Sequence, residues 1–543
     1  MTFKPYRQAG STALLISALT ALMPGCTKLQ DENYTQLVSS SFVPTPQDLA
    51  SLVGPAYGNW RPLMMQNNGF FRTNEIGADE LVIPARPNGW VDGGIFRRLH
   101  EHKWTSQDGS AYDNWNNAFG GITNANRVIY QIESGQIPVT QGKDALLGEL
   151  RVLRASYYYV LCDIFGNVPI VTRFNVEEGF LPDQSSRAEV YNFIVKEITE
   201  SLPLLGNTVD KSTYGRFNNK WAAYALLARV YLNAQVYSGT AQWDKCAAAC
   251  DAVINAGLFA LETNQRDVFK TVNENSKEIV FAIPYDEIYG GTFSMAMETL
   301  QPANQKTYGV EAACWGGTCA VPQFINTYDP DDSRLKENWI QGQQYDASGQ
   351  PLLGSMRATN GKPLIYLNQL PGVDSSEEVH GFRMGKYEYK QGLRINMSND
   401  VPLFRYADLL MMKAECLLRT GNAGGAATLV TQVRSRSFKN NSTKATVTAA
   451  DLIKGSIYKY GLTRNGQFTT TQTGDDVQYG RFLDELGWEF TQEGHRRQDM
   501  IRFGTYTKKS WLSHSPNGDY RILLPLPQAE LNKNPKLKQN PGY

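Results

Sequence analysis

Few residues in this chain are arranged for bond-making chemistry. Asp79-Glu80 and Asp331-Asp332 are adjacent carboxylates of the kind that paired acid–base hydrolysis of a glycosidic bond employs, although sequence cannot supply the separation of their carboxyl groups. His100-Glu101-His102 is the one close histidine pair, and on a strand the two imidazoles share a face with Trp104. That spacing suits a hydrogen-bonded structural pair better than a metal site. There is no G-x-S-x-G elbow, no H-E-x-x-H helix and no phosphate-binding glycine loop. The expectation is a protein with no catalytic centre, no metal and no cofactor.

A second set of residues is arranged for recognition. Trp90 lies in R-P-N-G-W-V-D-G-G, among turn formers, with Arg86, Asn88 and Asp92 as neighbouring hydrogen-bonding groups. Trp315 lies in A-C-W-G-G-T-C-A between Cys314 and Cys319. Flat indole rings stack on the apolar C–H faces of sugars while carboxylates, amides and guanidinium groups engage the hydroxyls. Trp90, Trp315, Arg86, Asn88 and Asp92 are therefore candidate glycan contacts, with Tyr308, Asn304 and Arg383 as further ones. The 53 basic and 53 acidic residues cancel, and no basic stripe exists, so nucleic acid is excluded as a ligand and an uncharged one favoured.

The elements that must hold these residues are mainly helical. Trp115, Phe119, Ile122, Val128 and Ile132 form one apolar stripe, and Leu146, Leu150, Leu153, Tyr157 and Leu161 another. Segments 189–205, 218–235 and 243–256 continue as helices, and 403–420 with 423–437 repeats the design with Gly421 as a stop. Four such helix pairs resemble tetratricopeptide units. Between 257 and 400 the helical period disappears; Gly, Pro, Asn and Asp clusters alternate with short strand-like runs such as EIVFAIPY and PLIYLNQ. An irregular stretch of that length calls for a purpose, and with the loop at about 67–103 it forms the expected ligand side. Near the end, Phe482, Leu486 and Phe490 make an apolar stripe flanked by Glu485, Glu489, Glu493, Arg496, Arg497, Asp499 and Arg502, a charge set that reads as an ion-pair network at a helix junction.

Residues 1–25 read as an export signal: Lys4 and Arg7, an apolar run from Ala13 to Met23, and a small residue, Gly25, before Cys26. The junction resembles a bacterial lipobox, which makes Cys26 the expected lipidated residue and 26–45 an extended tether. In an oxidising compartment, Cys314 and Cys319, separated by a stretch with two glycines, are expected to close a disulfide around Trp315. Cys162, Cys246, Cys250 and Cys416 fall on apolar helical faces and are expected to be buried thiols.

Four segments carry a family resemblance. GRFLDELGWEFTQEGHRRQDMIRFG and the final QNPGY resemble the closing segments of the SusD/RagB family, with Leu486 where an arginine is usual. ELRVLRASYYYVLCDIFGNVPIVT, NDVPLFRYADLLMMKAECLLR and ADELVIPARPNGWVDGGIFRRLHEHKW are similar to three further family segments. The resemblance implies a mainly α, SusD-like scaffold of tetratricopeptide-type helix pairs at 46–256, an insert with short strands at 257–400, and further repeats with a tail at 401–543. It also implies a lipoprotein on the outer face of the outer membrane that captures oligosaccharides as a lid over a SusC-like, TonB-dependent transporter. A surface glycoside hydrolase and a peptide- or protein-binding repeat protein are the alternatives.

Overall fold

The computed structural model describes residues 45–65, 68–86 and 91–543. Its scaffold is a row of antiparallel helices, Gly109–Glu133, Lys143–Ile164, Arg187–Ser201, Lys220–Leu232 and Trp243–Ile254, continued by Tyr406–Arg419 and Ala423–Arg434. The helix Pro46–Gly58 packs on the first of them. Local chemistry sets the boundaries. Ser186 and Glu189 form a reciprocal capping box, and the Asn219 side chain accepts from the backbone N–H groups of Trp221 and Ala222. Lys220–Leu232 is buried on nearly its whole circumference because neighbouring helices cover it on both sides, which its Ala-Leu-Ala composition permits.

Trp243–Ile254 packs directly on Tyr406–Arg419 although the whole insert separates them in sequence. The insert leaves and re-enters the scaffold at one place, where strands Ile279–Ile283 and Val401–Arg405 pair antiparallel. Cys246, Cys250 and Cys416 are buried thiols in the apolar core, as their helical faces predict. The mainly helical scaffold with a loop-rich, short-stranded insert is the architecture expected from the sequence.

The C-terminal charge set works differently from the expectation. Phe482, Leu486 and Phe490 pack beside Leu410, Met411, Ala414 and Val430. Glu485, Glu489 and Glu493, however, do not bridge to the arginines of the next helix. Glu489 meets Arg405 at 2.8 Å, Arg436 at 2.5 Å and Arg334 at 3.1 Å. Glu485 meets Arg434 at 3.0 Å and Arg481 at 2.8 Å. Glu493 meets Arg405 and Lys386. The arginines of helix Arg496–Arg502 turn elsewhere: Arg496 to Asp79, Arg497 to Asp163 and Arg502 to Glu415. The segment thus ties the insert, the strand Val401–Arg405 and both ends of the scaffold to itself. The Pro-rich tail lies along the N-terminal half, with Leu524 N donating to Ile164 O, Asn540 Nδ2 to Phe165 O and Trp104 Nε1 to Tyr543 Oη.

Candidate functional site

Three loops distant in sequence meet on the insert side. Ala85 N donates to Val373 O and Ser376 N to Ala85 O, so the segment leading to Trp90 runs beside the 371–380 loop. Arg86 then reaches the third loop. Its guanidinium donates to Gly317 O at 3.1 Å, Glu377 O at 2.6 Å and His380 O at 3.1 Å. Burial, with Arg383 close by, lowers its pKa to about 9. The structure therefore makes Arg86 a buried clamp between loop backbones.

Trp315 is half-buried against the main core. Its N–H donates to Met297 O at 2.7 Å, while Gly317 N and Thr318 N donate to Glu298 O at 2.8 Å each. Gly316 adopts φ +73°, and a Cβ there would stand 2.5 Å from Gln301 Oε1, so the turn after the tryptophan requires glycine. These backbone bonds do the holding that the sequence assigned to a disulfide. Cys314 and Cys319 are both free thiols. Cys314 is buried in the main core, which pushes its thiol up to about 12. Cys319 lies in a two-residue strand paired with Val82, in a separate apolar cluster with Val321, Leu370 and Leu512. The glycines between them let the chain extend into that strand pairing instead of closing on itself.

Asn304 and Arg383 lie fully buried below this surface. Asn304 accepts from Gln301 N and Tyr366 Oη, and the Arg383 guanidinium stacks 4.6 Å from the centre of the Tyr366 ring. Asp92 is exposed at the start of a short turn. Asn88, Trp90 and Cys26 lie outside the described residues.

Tyr308 opens onto the insert's main cleft, a space of about 710 Å³. Its ring meets Tyr389 edge-on with centres 5.7 Å apart, and burial pushes its phenol up to about 12. Beside it Tyr345, whose carbonyl accepts from Thr307 Oγ1 at 2.7 Å, is 48% exposed, on a loop where Asp346 Oδ1 accepts from Ser348 N, Ser348 Oγ and Gln350 N. Gln343, Arg266 and Glu388 complete a polar rim of mixed charge. Aromatic faces beside amides and charges of both signs suit a neutral sugar chain. Tyr345 and Tyr389 were not singled out from sequence, yet Q-G-Q-Q-Y-D-A-S-G-Q carries the same signal as the Trp90 loop, an aromatic among turn formers.

Among the residues that suggested chemistry, Asp331 is exposed and pairs with Lys444 at 2.8 Å, while the others are buried. Asp79 is buried in an ion pair with Arg496 at 2.6 Å, and Asp332 in one with Arg334 at 2.7 Å. His100 and His102 are buried, which depresses their pKa values to about 4 and about 3, and His102 Nε2 lies 2.7 Å from Gly77 O.

Residues 277–543 match the family described as "SusD family", and residues 39–232 match one described as "Starch-binding associating with outer membrane". The chain belongs to the SusD/RagB family. Starch-binding protein SusD of Bacteroides thetaiotaomicron is 26% identical over 525 residues, covering 88% of this chain and 86% of that protein. Among solved structures, a laminarin-binding SusD-like protein superposes with a TM-score of 0.69 at 18% identity, over 92% of this chain and all of that one. Surface glycan-binding protein A from Bacteroides thetaiotaomicron, in complex with laminarihexaose, gives 0.68 at 18% identity, over 91% and 99%. The SusD fold of this chain is thus shared with proteins whose sequences have diverged widely.

Proposed function

We propose that this SusD-family protein is a glycan-binding component of nutrient uptake at the outer membrane, without catalytic activity of its own. The observation that carries the reading is the cleft in which Tyr308, Tyr345 and Tyr389 converge with amides and charged side chains of both signs on the irregular insert. The Trp315 loop, clamped by Arg86, also belongs to the insert and carries a half-buried indole. The names of the relatives support it, since starch and laminarin are the ligands attached to them.

In this reading an oligosaccharide lies across the insert with its rings against the tyrosines and its hydroxyls on the amides. The helical scaffold presents an extended surface suited to a protein partner, and that partner is a SusC-like, TonB-dependent transporter to which the sugar is delivered. Attachment to the membrane is through a lipid on Cys26; among the described residues no helix is long and apolar enough to cross a membrane. Calorimetry of the purified chain against neutral α- and β-glucan oligosaccharides tests the binding, with reducing-sugar release assayed in parallel. Saturable binding without release is the expected result; release of reducing ends would make it a hydrolase, and no binding to any glycan would remove the proposal.

A further inference from the structure

Beside the strand pair, where the insert leaves the scaffold, the fold forms another concavity that the glycan reading leaves unused. It is a pocket of about 200 Å³ between helix Pro46–Gly58, Arg61 and strand Ile279–Ile283. Val53, Ile283, Pro284 and the ring of Tyr57 give it apolar walls, and the Tyr57 hydroxyl is engaged with Glu149 Oε1 at 2.8 Å. Gly54 and Gly58, one turn apart on the helix, have nothing within 4 Å of where a Cβ would stand, so the mouth is open.

Its charges are unequal. Arg216 is neutralised by Glu149 through two hydrogen bonds of 2.8 and 2.7 Å. Asp400, which feels the Arg61 charge, accepts from Tyr214 Oη and Tyr285 N at 2.9 Å each. Asp286, also within that field, accepts from Ile288 N and Tyr289 N at 2.8 Å each. Arg61 itself donates only its Nε, to Pro284 O at 2.6 Å, and among the described residues it makes no ion pair. The pocket therefore combines apolar walls with a half-buried guanidinium whose two terminal nitrogens have no protein acceptor among the described residues.

That combination selects a ligand class. The volume falls below the roughly 300–1,000 Å³ typical of sites for larger ligands, so it holds one ring-sized body rather than a sugar chain. The walls offer few acceptors or donors for hydroxyl groups, while terminal guanidinium nitrogens match the two oxygens of a carboxylate. We propose that this pocket binds a small monocarboxylate with an apolar, ring-sized body, its carboxylate on Arg61 and its ring between Val53, Tyr57 and Pro284. The site is independent of the glycan cleft.

Phenylacetate, with 2-phenylethanol and phenethylamine as neutral and cationic isosteres, tests the class by calorimetry and ligand-observed saturation-transfer NMR on the full chain. Phenylacetate should bind saturably, and 2-phenylethanol about tenfold more weakly, the value of one charge-assisted contact at this scale. Phenethylamine should not bind. Gly54→Leu places a helix-favouring side chain over the open mouth and should abolish phenylacetate binding without lowering the melting temperature. Arg61→Gln should bring phenylacetate down to the level of 2-phenylethanol. Equal binding of acid and amine, unchanged binding in Gly54→Leu, or no saturable binding up to solubility would each overturn the proposal.

Discussion

Arg405 and Glu493 are fully buried and joined by two parallel hydrogen bonds, Nε to Oε2 at 2.8 Å and Nη2 to Oε1 at 2.7 Å. Arg405 ends the strand that returns from the insert, and Glu493 follows the helix Gly480–Phe490. Lys386 of the insert also meets Glu493, at 2.5 Å, so one carboxylate holds insert, scaffold and C-terminal segment together.

Glu493→Ala would leave both cations buried without this partner. The expected cost is about 3–5 kcal/mol of folding stability, as for one-sided removal of a buried ion pair. Denaturant unfolding followed by circular dichroism measures it. Glycan affinity per folded molecule should stay at the wild-type value, and a lost affinity at unchanged stability would move this residue from scaffold to binding site.

A second buried pair responds to pH. Burial raises the Glu75 carboxyl to about 7, against the N–H groups of Gly494 and His495 that favour its ionised form. Burial and then the Glu75 charge raise Glu80 well above the usual carboxylate value. The folded state therefore holds protons that the unfolded chain releases above about 4.5. This contribution is fully present below that pH and is lost as pH rises toward and through 7. Asp400, Asp408 and Asp484, each raised to about 6, act in the same direction. The buried histidines act oppositely below about 6.5. The difference between wild type and Glu80→Gln isolates the pair: the variant should gain stability relative to wild type from pH 5 to pH 8. Parallel stability curves over that range would show that the two carboxyls do not share this dependence.

In the cleft, Tyr345→Ala removes a half-exposed ring and should weaken glycan binding by about tenfold or more, in the range of contact-residue truncations. Its melting temperature should change little, because the ring packs on no core. Calorimetry against the best-bound oligosaccharide reads the effect. Affinity equal to wild type would shift the glycan to the Trp315 face.

The thiols at 314 and 319 should both be alkylated in the denatured, unreduced protein, as intact-mass analysis would register. Reductant should change neither the melting temperature nor glycan affinity. A mass loss of two hydrogens mapping to these cysteines would restore the bridge that their spacing suggested.

Sequence by itself determined what is local in this protein. The stripe Phe482, Leu486, Phe490, the helix stop at Gly421, and the loss of period after residue 257 are all read from neighbours within a few positions, because side-chain direction repeats with backbone period. Tertiary structure alone decided the pairings across long separations. Glu485, Glu489 and Glu493 could be recognised as a charged row, but their partners Arg334, Arg405, Arg434 and Arg436 arrive from other segments. Arg86 and Arg383 read as ligand contacts because a guanidinium beside an aromatic loop is equally suited to a sugar and to a backbone carbonyl. The fold buried them, and long-range packing, which no local spacing encodes, chose the second. Likewise Tyr308, Tyr345 and Tyr389 line one cleft only because separate turns of the insert bring them together.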